Sequence, residues 1–196
     1  MVEIISTERL FTNQFKSIDE VTYIRNGKQH KWIMSKGHDT VHILVYNTTK
    51  RKLLLVKQSR IPVMFNKNHY GDSTTIEACA GLIDGFTAYS GIDQARLTAR
   101  AELHEELGYQ VPATNLTELP RYISGTGSSG SSCYPFYCEV TDDQFVGQCL
   151  GEHEDIEVYE LLPERVNWFL SNQSNTDATT RYLLQWWLLN IKENNE

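Results

Sequence analysis

The sequence predicts an α+β protein, and three observations carry that prediction. β-rich runs punctuated by turn signals fill the first half of the chain. One amphipathic helix follows them, ending on a glycine at position 108. Two helical stretches then come after the last strand, so strands and helices do not alternate regularly. A chain of 196 residues with 40% hydrophobic content suits one compact domain with a small appendage. We place the appendage, a β-hairpin region, at 1–38 and the main domain at 39–196.

The first hairpin is expected over 20–35. Val21-Thr-Tyr-Ile leads into Asn26-Gly27, a strong two-residue turn signal, and His30-Lys-Trp-Ile-Met returns. A second strand pair follows, Val41-His-Ile-Leu-Val-Tyr and Leu53-Leu-Leu-Val, joined by the polar turn Asn47-Thr-Thr-Lys-Arg-Lys. Pro62 should end the second strand. Thr75-Ile-Glu-Ala-Cys-Ala reads as one short strand stopped by Gly81, and 82–92 as a loop. Asp93 is placed to N-cap a helix in which Ala95, Ala99, Leu103 and Leu107 form an apolar stripe. Gly108 stands where a helix stops. The small residues of 124–132 predict a mobile loop or a wall close to a ligand, since strand character resumes at Tyr134-Pro-Phe-Tyr-Cys. Asp155-Ile-Glu-Val-Tyr-Glu is the last strand.

A formal net charge of −7 argues against a nucleic-acid surface as partner. Cys79, Cys133, Cys138 and Cys149 form no Cys-x-x-Cys and no zinc-type spacing, so they read as reduced thiols of a cytoplasmic protein. The start of the chain lacks the apolar stretch of a signal peptide. The apolar run from Tyr182 to Ile191 is too short to span a bilayer and reads as a helix packed into the core or a subunit interface.

The chemistry is concentrated in Ala101-Glu-Leu-His-Glu-Glu-Leu-Gly-Tyr. Glu102, Glu105 and Glu106 stand at i, i+3 and i+4, which on a helix puts all three on one face, one turn apart. Like charges that close repel, and a hard divalent cation with oxygen ligands is the natural compensation. A solvated acidic face is the alternative.

The glycine loop, this helix and its terminal glycine together resemble the Nudix box, Gly-x5-Glu-x7-Arg-Glu-U-x-Glu-Glu-x-Gly-U, where U is a bulky apolar residue. Glu102, Leu103, Glu105, Glu106, Gly108 and Tyr109 match it, with Gly81 as the first glycine. Three positions depart from it. Ala101 replaces the arginine, Asp93 replaces the glutamate ahead of the helix, and Glu102 stands 21 positions after Gly81 where the pattern has 15. The surroundings strengthen the match. Glu77-Ala-Cys-Ala-Gly-Leu-Ile-Asp, Val56-Lys-Gln-Ser-Arg60 and Glu152-His-Glu-Asp-Ile-Glu-Val resemble elements of the nucleotide-sugar and ADP-ribose branch, so the likeness runs from about Tyr23 to the C-terminus. Ser124-Gly125-Thr126 lacks the proline typical of the ADP-ribose enzymes and is closer to the UDP-sugar pyrophosphatases.

The resemblance implies an α/β/α sandwich with a mixed sheet, plus a small N-terminal antiparallel sheet through which the family commonly dimerises. It implies hydrolysis of the pyrophosphate of a nucleoside diphosphate sugar, such as UDP-glucose to UMP and glucose 1-phosphate. It implies Mg²⁺, with Mn²⁺ as a substitute, on Glu102, Glu105, Glu106 and the carbonyl of Ala80. The general base is expected in the 151–155 loop, with Glu154 ahead of Glu152. Arg60 is the candidate to clamp a phosphate. Glu77 would hold the site or line the sugar pocket, Gly81 would allow close backbone approach, and Cys79 reads as core packing. Ala101 cannot orient a neighbouring carboxylate, and Arg100 points about 100° away around the helix. Tyr23 and Trp32 could stack on a base, although hairpin aromatics more often serve a core or dimer interface. ADP-ribose or GDP-mannose cleavage, and a sensor that binds a nucleotide sugar without cutting it, stand as alternatives.

Overall fold

The computed structural model describes residues 1–66, 73–85, 88–152 and 154–192. Its first three strands, β1 (Val2–Thr12), β2 (Ser17–Arg25) and β3 (Lys28–Lys36), form an antiparallel sheet in the order β1-β2-β3. Asn26 and Gly27 take φ +55 and +73, the two left-handed positions of a tight hairpin turn. β1 was not expected from the sequence. It is exposed along its whole length, so no alternation of buried and polar positions marks it. The buried carboxylate of Asp19 on β2 pairs with Arg9 of β1 and lies 3.5 Å from Lys36 of β3, which ties the three strands together.

The second sheet holds β4 (Thr40–Asn47), β5 (Lys52–Ser59), β6 (Thr74–Glu77), β7 (Cys79–Leu82), β8 (Thr117–Glu118), β9 (Tyr122–Ser124), β10 (Ser131–Val140) and β11 (Ile156–Leu161). β10 runs parallel to β4 and the other pairs are antiparallel, so the sheet is mixed. β4 and β5 pair only over Val45–Asn47 and Lys52–Leu54. They then part. β6 fills the gap on the β5 side and β7 on the β4 side. The single strand expected over 75–80 is therefore two strands. Ala78 sits at the break and donates its N–H to Thr180 Oγ1 at 2.8 Å rather than to a ladder. Gly81 does not stop the strand, because it lies inside β7 opposite Val41.

Alternate residues of each strand point to opposite faces, and both faces are covered. On one, Val41, Ile43, Val45, Val56, Phe136 and Cys138 pack on α2 (Gly91–Leu107). All four residues of the α2 stripe, Ala95, Ala99, Leu103 and Leu107, are buried. Truncating a leucine there to alanine typically costs about 2–5 kcal/mol. On the other face, Leu44, Leu53, Leu55, Ile76 and Tyr137 pack on α3 (Val166–Asn172) and α4 (Ala178–Trp187). The result is the α/β/α sandwich with its extra small sheet. The short α1 (Ile61–Asn66) follows β5, with Pro62 in its first turn.

Two further expectations need correction or refinement. The N-cap of α2 is Ser90, not Asp93; the helix begins earlier, and Asp93 lies in its first turn, where a carboxylate suits the helix dipole. The Gly/Ser stretch is a tight turn joining β9 to β10, with the N–H groups of Ser128, Ser129 and Gly130 all directed to Gly125 O. It also braces the small sheet, through Trp32 Nε1 to Gly127 O at 3.2 Å and Ser35 N to Ser128 O at 2.9 Å. Leu183, Leu184 and Trp187 bury the C-terminal helix in the core. All four cysteines are free thiols. Among the described residues no helix is long and apolar enough to cross a membrane.

Candidate active site

Helix α2 lies across β7, and the site forms where they touch. Gly81 stands directly beneath Glu102, and a Cβ on it would overlap the Glu102 carboxylate. Glycine is thus required for close approach of strand and side chain, not for an unusual φ. One turn on, Glu106 accepts a hydrogen bond from the Ala80 N–H at 3.0 Å. Glu106 is 5% exposed.

The half-buried Glu102 and the buried Glu106, one helical turn apart, both resist ionisation. Burial pushes Glu102 up to about 8, and the charges of Glu106, Glu105, Glu154 and Asp84 add to it. Burial pushes Glu106 up to about 7, against the opposing help of the Ala80 N–H, the Cys79 thiol and the Arg60 charge. Cys79 is therefore both core packing, as expected, and a neighbour of the carboxylate. Its own thiol is held well above the usual range by burial and by the two glutamates.

Glu105 is placed differently. It is exposed and borders a polar cavity of about 350 Å³ on the outer side of α2, with Arg100, Ala101, His104, Gln110 and Val111. The i, i+3, i+4 spacing predicts one shared face; the structure buries Glu106, half-buries Glu102 and leaves Glu105 exposed at the rim. Among the described residues no three acidic, His or Cys side chains form a ready ligand set. Glu102 and Glu106 could still hold a hard cation, with water or substrate oxygens completing its shell.

Arg60 and Glu77 are brought together beside this pair. Arg60 Nη2 donates to Glu77 Oε2 at 2.6 Å, and its Nε lies 3.1 and 3.2 Å from the two oxygens. Thr75 Oγ1 donates to Glu77 Oε1 at 2.7 Å. Burial opposes ionisation of Glu77, but the Arg60 and Thr75 hydrogen bonds prevail and hold its carboxyl below the usual range. The sequence put both residues in the site, but not the ion pair between them, because Arg60 just follows β5 while Glu77 ends β6, 17 residues further on.

The loop after residue 150 completes the arrangement. Glu154 folds back so that its Oε2 accepts from the Gly151 N–H at 2.8 Å, and its charge is felt at both Glu102 and Glu106. Glu152 is exposed. His153, and positions 86 and 87 of the long loop before α2, lie outside the described residues. Sequence reasoning missed Gln148, whose Nε2 donates to Glu106 O at 2.6 Å; a lone glutamine in a loop carries no pattern to find it by. Tyr23 stacks on His30 at 5.3 Å and, with Arg25 and Trp32, borders a groove of about 480 Å³ between the small sheet and the Gly/Ser turn.

A carboxylate pair with hindered ionisation, a part-buried ion pair and a third acid near them suit hydrolysis of a phosphoanhydride. No family model matches the chain. Individual relatives do. The uridine diphosphate glucose pyrophosphatase NUDT14 of Mus musculus is 32% identical over 163 residues, covering 71% of each chain. A GDP-mannose pyrophosphatase of Salmonella arizonae is 31% identical over 186 residues, covering 91% of each. The crystal structure of an ADP compounds hydrolase superposes with a TM-score of 0.76 over 98% of this chain and 95% of that one; at 15% identity it speaks to the fold alone. With the box residues of α2 assembled over β7 and relatives this similar over most of its length, the chain belongs to the Nudix hydrolase family.

Proposed function

We propose that this protein hydrolyses the pyrophosphate of a nucleoside diphosphate sugar, with UDP-glucose, giving UMP and glucose 1-phosphate, as the first substrate to test. The observation that carries the reading is the Glu102/Glu106 pair, its ionisation held back by burial, with the charge of Glu154 felt at both, in a chain whose relatives are named for UDP-glucose and GDP-mannose cleavage.

The donor set fits Mg²⁺. Two carboxylates whose ionisation is held back gain most from a divalent cation, and Glu102, Glu106 and the carbonyl of Ala80 would hold it, with Glu105 from the rim. When bound, the metal neutralises the pyrophosphate charge and acidifies water. The chain's own residues supply the rest. Glu154 takes the proton of the attacking water as its oxygen bonds to one phosphorus, with Glu152 as the second candidate. The bridging P–O bond breaks, and its electron pair leaves on the second phosphate. Arg60, oriented by Glu77, presents its remaining guanidinium edge to a phosphate oxygen. Gly81 keeps the floor of the site low enough for substrate.

The small sheet is proposed as a dimerisation surface, since Ile4, Ile5, Phe11, Trp32 and Ile33 are exposed on it. Sedimentation of the intact chain tests this, and a monomer at micromolar concentration refutes it. We place the protein in the cytoplasm, with its thiols reduced. For the activity, UDP-glucose, GDP-mannose and ADP-ribose are incubated with folded protein in Mg²⁺ and in Mn²⁺, and the products are identified. Cleavage at the anhydride is expected; no turnover of any of the three overturns the reading.

A further inference from the structure

The two halves of the site lie on segments with no shared secondary structure. The carboxylate pair stands near the end of α2. The proposed base stands in the loop that enters β11. Their relative position must be fixed, because a proton acceptor displaced by about 1 Å can lower a rate a hundredfold.

The segment from Gln144 to Cys149 does the joining. It runs against the end of α2 and is bonded to it repeatedly: Gln110 N to Gln144 O at 3.0 Å, Val146 N to Gly108 O at 2.8 Å and Cys149 N to Glu105 O at 3.1 Å. Contact is so close that a Cβ at Gly108 would lie 2.6 Å from the Phe145 ring, 2.8 Å from Gly147 C and 2.9 Å from Gln148 N. Gly108 is therefore held to glycine twice, by its φ of +80 as the helix cap and by this packing.

Within the segment one side chain bridges both halves. Gln148 Nε2 donates to Glu106 O at 2.6 Å and to Ile156 O at 3.3 Å. The first acceptor is the carbonyl of a buried carboxylate residue, in the last turn of α2, where carbonyls lack helical partners. The second begins β11, two residues after Glu154. An amide NH₂ has two donors and can serve both carbonyls at once. We infer that Gln148 is a positioning residue that fixes the Glu152–Glu154 loop against the carboxylate helix. It touches no reacting atom and acts through the two carbonyls it joins. This rests on the pyrophosphatase reading for its catalytic consequence, but not for the bridge itself.

The test uses the full chain with Gln148→Ala, Gln148→Glu and Gln148→Lys. Three quantities are read: turnover of whichever nucleotide sugar the parent cleaves, Mn²⁺ affinity by electron paramagnetic resonance without substrate, and hydrogen exchange of the amides of 149–155. Gln148→Ala should lower kcat about ten- to a hundredfold with KM and Mn²⁺ affinity changed by less than about threefold. Exchange over 149–155 should accelerate. Gln148→Glu, which presents acceptors to two carbonyls, should do no better than alanine, while Gln148→Lys restores a donor and should recover most of the lost kcat. A kcat unchanged in Gln148→Ala overturns the inference. So does a joint fall of kcat and Mn²⁺ affinity, which would place the effect in the helix itself. Should the parent cleave none of the nucleotide sugars, the pyrophosphatase reading fails by itself, and unchanged exchange in Gln148→Ala still overturns the bridge.

Discussion

Glutamate serves two opposite purposes on the two sides of this site. On α2, Glu102 and Glu106 are pressed against Gly81 and Ala80, and burial, with repulsion from neighbouring carboxylates, raises them to about 8 and about 7. In the 151–155 loop, Glu152 is exposed, and Glu154 rests on a backbone N–H of its own loop. An added cation would stabilise the first pair as carboxylates well beyond what the Ala80 N–H and the Arg60 charge supply, which suits a metal ligand. The second is exposed to solvent, which suits a group that would accept a proton and release it. On the proposed reading, the same side chain would act as ligand or base according to how much water its backbone position leaves it.

Removing one member of the buried pair breaks this contrast most severely. Glu106→Gln keeps the shape and the Ala80 hydrogen bond but removes the charge that would neutralise a cation. Turnover should fall by about a thousandfold or more, the equivalent of several kcal/mol of lost transition-state stabilisation. Mn²⁺ affinity, read without substrate, should fall with it. Unchanged Mn²⁺ binding would show that the pair is not the metal site.

The loop side should respond less, and differently. Glu154→Gln should lower kcat by about a hundredfold, the ordinary contribution of a general base, while leaving Mn²⁺ binding intact. Glu152→Gln should have the smaller effect of the two, because only Glu154 is felt electrostatically at both buried carboxylates. A larger loss in Glu152→Gln would reverse the assignment of the base.

What the sequence could disclose follows from the range of the interactions. The α2 stripe, the Gly108 stop and the Asn26-Gly27 turn rest on contacts within a few residues, and each was legible. The wedge of β6 and β7 between β4 and β5 was not, since the run 75–80 changes partner midway and only a third element, Thr180 on α4, explains the break. The three-glutamate spacing was legible as one turn of helix. Which of the three are buried depends on where β7 passes, and that left Glu105 at the rim. The Arg60–Glu77 pair and the Gln148 bridge join residues far apart in the chain, so no local pattern announces them.

Gly81→Ala sharpens the contrast from the strand side. Its Cβ would occupy the Glu102 carboxylate position, so that side chain must swing away while Glu106 and the core under α2 stay in place. Turnover should fall by about tenfold to a hundredfold, as for other small displacements of reacting groups. Thermal stability in the absence of metal should hold or rise, because the two buried carboxylates are separated. A marked fall in stability with activity retained would mean that Glu102 is not where catalysis needs it.

The smallest effect is a stability change with pH, and it distinguishes the two sides without any substrate. Glu102 and Glu106 have folded-state values of about 8 and about 7 against an ordinary value of 4.5. The folded protein therefore holds these protons more tightly than the unfolded chain. Their stabilising contribution is complete below about 4.5 and is lost as the pH rises towards about 8. Glu77 and Glu160, held below the ordinary value, act in the opposite sense, so their stabilisation is lost as the pH falls. Comparison with the Glu102→Gln/Glu106→Gln double variant cancels those groups. Without metal, the parent's thermal midpoint should drop relative to the double variant across that window, and Mg²⁺ should abolish the drop in the parent alone. Parallel curves for the two proteins would mean that the carboxylate pair is not strained by burial, and the case for a cation at Glu102 and Glu106 would lose its electrostatic basis.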